Sequence, residues 1–357
     1  MTALVLRVTI AISVSVWALC GQAAFGDQAT SRSSPRADDD SEASVTTLSP
    51  DDRGDWVFAK LKQLNPGFDL RSAAHVIRGN EVTELRFSGV GVTNLAPVRV
   101  LVALSRLTCA GKAGKCTLAD LSPLRGLPLT RFECSYSLVS DLSPLRGMPL
   151  QSVDCSGSKI SDLSPLKGMK LTRLEIDISQ VKDLTPLKNM PLTLLDCGQT
   201  LVSDLSPLKG LPLDTLLCYG TPVKDLSPLR GMPLRHLNVA HTQIKDLAPL
   251  KGMPLTRLWC SGTAIKDLTP LKGMPLSSLW CEQTQVKDLT PLKGLPLREL
   301  HCEGIPAADL SPLKEMPLVV LQCDAKSERD REVLRAIKTL KTINGQAAAA
   351  FWKSQTK

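Results

Sequence analysis

The sequence predicts an α/β solenoid, and three observations carry that reading. The dipeptide Asp-Leu returns every 21 residues, ten times in succession, at Asp120, Asp141, Asp162, Asp183, Asp204, Asp225, Asp246, Asp267, Asp288 and Asp309. Each opens a version of D-L-[S/T/A]-P-L-[K/R]-x-[M/L]-P-L. A fixed period held over that length marks one small unit stacked on copies of itself. Aromatic residues make up only 4% of the chain, which suits a core of stacked aliphatic side chains. With 357 residues, 43% of them apolar, the chain can bury a large core. A solenoid spreads that core along one axis, so length is a poor guide to domain count.

The unit is legible in one copy, Leu255 to Pro275, LTRLWCSGTAIKDLTPLKGMP. Leu258 and Cys260 are two apart, so on a strand both point to one face and Trp259 points to the other. Ile265 and Leu268 carry the chain inward around a turn. Thr269 and Pro270 read as the N-cap and first position of a short helical turn. Lys272 falls on its outside, and Gly273 and Pro275 end it. Strand, turn, short helix and return make one unit, which can bury its Leu face only against neighbours.

The apolar spacing matches the leucine-rich repeat template L-x-x-L-x-L-x-x-N-x-L, with Cys in the third Leu slot and Thr in the Asn slot. The units resemble the short bacterial leucine-rich repeats of the internalin type, LxxLxLxxNxIxDIxPL, over about Val82 to Cys323. They depart at the Asn slot, which holds Ser137, Ser158, Ser179, Thr200, Thr221, Thr242, Thr263 and Thr284. A hydroxyl there can still bond the turn backbone. The resemblance implies a curved right-handed solenoid with a parallel β-sheet on its concave face, short helical turns on its convex face, and protein–protein recognition.

The two ends of the chain differ from the array. Residues 1–26 carry Arg7, then an apolar run from Val8 to Cys20, then small residues, which reads as a secretory signal. The run is too short for an ordinary spanning helix. A lipoprotein at Cys20 and an uncleaved N-terminal anchor are the alternatives, and Trp17-Ala18-Leu19 is a poor lipobox. Residues 27–50, rich in Ser, Asp, Ala and Thr, read as a disordered linker. Residues 51–81 form an N-terminal cap, with a helix ending at Asn65-Pro66-Gly67 and two strands about Arg78-Gly79-Asn80. Val82, Leu85, Phe87, Asn94, Leu95 and Pro97 open a divergent first repeat. Residues 82–323 hold about 11–12 repeats, and 324–357 a C-terminal helical cap. There Val333, Leu334, Ile337 and Leu340 form a helical stripe stopped by Asn344-Gly345, with Phe351 and Trp352 packed beneath.

Nine of the 11 cysteines share one repeat slot: Cys109, Cys134, Cys155, Cys197, Cys218, Cys260, Cys281, Cys302 and Cys323. Ile176 and Val239 stand at the same slot, so Cys serves there as a compact buried hydrophobe. Strands about 4.8 Å apart hold stacked Cβ atoms slightly beyond the ~3.8 Å a disulfide prefers. Cys116 lies outside this ladder, in the insertion AGKAGKC, and is the candidate for a reactive thiol or a local bridge to Cys109. The spacing of Gly111, Gly114 and Lys115 is wrong for a phosphate loop. No metal-binding spacing, nucleophile elbow, dinucleotide fingerprint or kinase catalytic loop is found, so neither an enzyme nor a cofactor is expected.

Arg125, Arg146, Lys167, Lys188, Lys209, Arg230, Lys251, Lys272, Lys293 and Lys314 form a basic ladder on one outer slot. Lys182, Lys224, Lys245, Lys266 and Lys287 add a second row beside the Asp row. The plain reading is a solvated face on which the two rows offset each other. The net charge of +8 and the lack of aromatics on that face argue against nucleic acid. The central slot of the other sheet face runs Glu133, Asp154, Glu175, Asp196, Leu217, Asn238, Trp259, Trp280, His301, Gln322. Trp259 and Trp280 are expected to stand stacked and largely exposed on adjacent strands, with Arg257, His236, His241, Tyr219 and Glu282 close by. Exposed adjoining aromatics mark an interface.

The sequence therefore predicts an exported, monomeric, non-enzymatic protein of the secreted, periplasmic or envelope space. Its protein partner would bind at Trp259, Trp280, His301, Tyr219 and His241, with Glu133, Asp154, Glu175 and Asp196 as an acidic shoulder. The rivals are an envelope structural protein held to acidic polymer by its convex face, and a recognition subunit for a separate enzyme.

Overall fold

The computed structural model describes residues 42–307, 309–325 and 327–354. The expected signal segment, Cys20 and the expected linker up to residue 41 lie outside the described residues. Strand β1 (Ala74–Arg78) forms an antiparallel hairpin with β2 (Glu81–Arg86). Three-residue strands follow: β3 (Arg106–Thr108), β4 (Arg131–Glu133), β5 (Ser152–Asp154), β6 (Arg173–Glu175), β7 (Leu194–Asp196), β8 (Thr215–Leu217), β9 (His236–Asn238), β10 (Arg257–Trp259), β11 (Ser278–Trp280), β12 (Glu299–His301) and β13 (Val320–Gln322). A closing hairpin joins β14 (Thr342–Ile343) to β15 (Gln346–Ala347). All 15 strands form one sheet in chain order, parallel from β2 to β14. Register is strict: Leu258 pairs with Leu237 and Leu279, and Trp259 with Asn238 and Trp280. The fold is the leucine-rich-repeat solenoid expected from the period.

Each repeat closes through a single 3₁₀ turn. In Thr269–Leu271 the N-cap position is Leu268, not Thr269, and Leu268 makes no side-chain cap. The cap comes from the aspartate one residue earlier, because Asp267 Oδ1 accepts the Thr269 N–H at 2.7 Å. Where Ser follows, its hydroxyl also donates to the second carboxylate oxygen, as Ser206 does to Asp204 at 2.7 Å. The Asp row is thus a set of turn caps. These hydrogen bonds hold the carboxyls of Asp204, Asp225 and Asp267 below the ordinary aspartate range. In the Asn slot, Thr263 Oγ1 donates to the Cys260 carbonyl at 2.6 Å, and Thr200, Thr221, Thr242 and Thr284 do the same in their repeats.

All ten cysteines among the described residues are buried free thiols. Cys134 and Cys155 touch at 3.4 Å between sulfurs, a contact and not a bond. Burial pushes the Cys218 thiol up to about 12. Cys116 is neither an exposed thiol nor a bridge. It is 4% exposed and donates to the Gly89 carbonyl at 3.2 Å. The insertion folds down against Gly89 and Gly111, where an added Cβ would lie 2.2 Å from the Cys109 carbonyl oxygen and 2.3 Å from the Cys116 Cβ.

The caps differ from expectation at two places. Glu42–Val45 (α1), placed by sequence in the linker, is a short helix, and Val45 is 1% exposed against the core. Helix α2 (Pro50–Leu64) follows, capped by Ser49. The buried Arg53 reaches Glu81 at 2.6 Å and the Thr46 carbonyl at 3.2 Å, which ties that segment to the cap. At the other end, helix α3 (Glu328–Ala336) stops before Ile337 and does not run on to Asn344. Asn344 and Gly345, with φ of 50° and 75°, make the left-handed turn of the β14–β15 hairpin. The Asn344 amide exchanges two 3.0 Å hydrogen bonds with the Cys323 backbone. Phe351, on helix α4 (Ala348–Ser354), is buried, and Arg335 lies 5.2 Å over the Trp352 ring.

Candidate functional site: the concave sheet face

Because Leu258 and its equivalents point into the core, the residues on either side of it, and the one three places beyond it (Ser261 in this repeat), face away from the core. Three side-chain columns therefore run along the sheet face. The middle column holds the predicted site. Glu133, Asp154, Glu175 and Asp196 stand half-buried on β4 to β7 in direct register. Their oxygens are partly engaged. Glu133 accepts from Thr108 at 3.1 Å, Asp154 from Ser135 at 2.7 Å, Glu175 from Arg173 Nε at 2.8 Å, and Asp196 from the Gly198 N–H at 3.0 Å.

The sequence reading missed Asp177, one column over, which is 6% exposed. Its signal was available: it is an acid where the two preceding repeats carry Ser135 and Ser156. Burial, then repulsion from Asp154, raises the carboxyls of Glu175 and Asp177. Burial and Asp177 hold Asp196 well above the usual range. Tyr219 belongs with these acids and does not flank the tryptophans. Its ring lies over Gly198, where an added Cβ would come within 2.3 Å of it, and its hydroxyl donates to Asp177 at 3.4 Å. Leu217, Tyr219 and Ala240 form a small apolar cluster of their own on this face.

Trp259 and Trp280 stand side by side on β10 and β11, but they are half-buried and not largely exposed. They do not stack on each other either: their centroids are 6.2 Å apart at 77°, edge to face. The stacked neighbour of Trp280 is His301, at 4.2 Å and 18°. Offset and edge-on rings gain more than parallel superposed ones, and here three rings on successive repeats cover one another. Glu299 orients His301 through a 3.1 Å contact to Nε2 and accepts from Ser278 at 2.9 Å. His301 in turn lowers the Glu299 carboxyl. His241 lies in the left-handed turn after β9, exposed, with its ring over Gly262.

The arrangement thus has an acidic stretch, an apolar joint and an aromatic triad along one open face. Among the described residues, no group of three or more His, Cys, Asp or Glu is placed to hold a metal ion. No helix among them is long and apolar enough to cross a membrane. On the convex side the Lys and Arg rows are exposed. Among the described residues no ion pair joins them to the Asp row, and Asp309 pairs instead with Arg329 of the cap at 3.5 Å. The rows do not offset each other by contact, because the carboxylates are held by their own turns.

Sheet, turn caps and Leu core together define a leucine-rich-repeat solenoid of the short, internalin-like kind. An internalin (inlF) from Listeria monocytogenes is similar at 25% identity, with a TM-score of 0.69, covering 84% of this chain and 90% of that one. The functional domain of InlJ from the same organism, which includes a cysteine ladder, superposes with a TM-score of 0.54 at 21% identity, over 79% of this chain and 70% of that one. The leucine-rich-repeat ectodomain of the Arabidopsis thaliana receptor kinase GASSHO1/SCHENGEN3 gives 0.51 at 15%, over 70% and 36%. The last two likenesses concern the fold alone. No family model matches the chain, and no curated protein does.

Proposed function

We propose that this chain is an exported, non-enzymatic scaffold that binds a protein partner through its concave face. The observation that carries the reading is the Trp259–Trp280–His301 array. Nothing in the repeat requires aromatic residues in that column, since the core is built by the opposite side chains. Half-buried rings on an open face offer apolar area that a partner can finish covering. The acids from Glu133 to Asp196 supply the shoulder that selects the partner and its orientation.

The test is the double substitution Trp259→Ala with Trp280→Ala, in the mature chain, against a partner captured from envelope and secreted fractions. Loss of a central aromatic anchor costs about 2 kcal/mol or more, so affinity should fall roughly thirtyfold. Circular dichroism should be unchanged, because neither ring belongs to the Leu core. Full affinity in the double variant would refute the concave site. The second reading, a convex face holding an acidic envelope polymer, draws support from the Lys rows that lack contact partners in the Asp row. It requires binding that weakens steeply with salt and ignores both tryptophans.

A further inference from the structure

The concave face carries a charge opposite to that of the whole molecule. The chain has a net charge of +8. Yet the middle column and the next one, from Glu133 to Asp324, hold eight acids, four in each, and no Lys or Arg. The nearest arginines stand in the third column, and the ion pair there is Arg173 with Glu175 at 2.8 Å. At the aromatic end Arg257 stands in that third column and His301 contacts Glu299 at 3.1 Å. Among the described residues neither Glu282 nor Glu303 makes an ion pair. Burial, then the neighbouring Asp324, raises the Glu303 carboxyl.

A second observation falls at the same place. The Ser261 hydroxyl and the Glu282 Oε2 are both buried without a hydrogen-bond partner, and Ser261 is only 5% exposed. Buried polar groups are almost always paired, so unpaired ones call for an explanation. By register, Ser261 and Glu282 occupy one column on adjacent repeats, and Trp259 and Trp280 occupy the next. The four side chains form a block of roughly 5 by 7 Å on the sheet, from strand spacing and the two-residue repeat.

We propose that the partner presents a cationic segment to this face and seats an Arg or Lys side chain in that block. The aliphatic stem lies against the two indoles, and the charged head meets Glu282 and the Ser261 hydroxyl. This rests on the concave-face reading and adds the chemistry of the partner to it. An arginine fits best. Its planar head donates several N–H groups to the two unpaired acceptors, and indole faces attract cations. A neutral or acidic segment would leave the Glu282 carboxylate covered and unpaired, which disfavours it. The acidic shoulder at Asp154–Asp196 would take further basic side chains of the same segment.

The experiment uses the full chain and three capped hexapeptides: hexa-arginine, hexa-glutamate, and a neutral Gly/Ser/Leu sequence. Binding is measured by titration calorimetry at low and high salt. Hexa-arginine should bind and weaken as salt rises. The pair Glu282→Gln with Glu303→Gln, which keeps side-chain shape, should lose about tenfold. Trp259→Ala with Trp280→Ala should lose at least as much, and hexa-glutamate should not bind. If the neutral peptide binds as well as hexa-arginine and depends on the tryptophans, the cationic inference fails while the concave site stands. If hexa-arginine binds and neither pair of substitutions matters, it binds elsewhere and the inference fails. Absence of hexa-arginine binding also overturns it.

Discussion

Replacing Asp204 with alanine removes two hydrogen bonds, from the Ser206 N–H at 2.8 Å and from the Ser206 hydroxyl at 2.7 Å. Losing a side-chain cap of this kind costs about 1 kcal/mol, within a range of about 0.5–2. The competing source of energy is attraction to the basic ladder. For Asp204 the neighbouring Lys188 acts in one direction and Asp183 in the other, and both rank below the two hydrogen bonds. Exposed charges at that remove contribute little and are screened by salt. The destabilisation of Asp204→Ala should therefore be nearly equal at low salt, where the Debye length is about 10 Å or more, and at 1 M NaCl, where it is about 3 Å. Asp204→Asn should lose less, since an amide oxygen still accepts the Ser206 N–H. The folded carboxyl sits below the ordinary value of 3.8, so its contribution is present above that pH and is lost as pH falls through the folded value. Urea unfolding followed by circular dichroism reads all of this. If the loss vanished at 1 M NaCl, or if Lys188→Ala cost as much, the turn-cap argument would be wrong.

Two further outcomes are expected. Asp196→Asn should raise the thermal midpoint at pH 7. Burial and Asp177 lift this carboxyl in the folded state, so its stability is full below the unfolded value and is lost as pH rises through the folded one. The gain should shrink towards pH 4, and a gain equal at both pH values would contradict it. The ten described cysteines should resist a thiol reagent in the native protein and react after denaturation without reductant. Fewer reactive thiols in the unfolded chain would reveal bridges.

Much of the fold was legible because the period fixes register. Once Leu258 and Cys260 are assigned inward, every column on the sheet follows, and Trp259 must lie beside Trp280. What the period cannot supply is the path of side chains between repeats. Tyr219 looked like a neighbour of the tryptophans, but the bare Gly198 lets its ring lean the other way, toward Asp177. The expected exposure of the indoles ignored His301, which covers one face of Trp280. The Asp row was read as charge because its carboxylates sit near lysines. Its capping role depends on the backbone turn at Ser or Thr two residues on. At the C-terminus, Ile337 and Leu340 continue a helical spacing that the chain does not use, and Asn-Gly was a hairpin signal read as a helix stop.

The hairpins that close both margins of the sheet have a consequence for how the site can change. Identical units have no natural stopping point, and an open parallel margin invites another copy to add on. Here β1 and β15 run against their neighbours, so growth is confined to the interior, between fixed ends. Inserting or removing one 21-residue unit between Asp196 and Trp259 would leave both caps and the Leu core in place. It would move the acidic stretch relative to the tryptophans by one strand spacing, about 4.8 Å. The array is then a ruler: the distance between the two halves of the proposed binding face is set by a count of repeats, and a partner bound there would be discriminated by length as well as by chemistry.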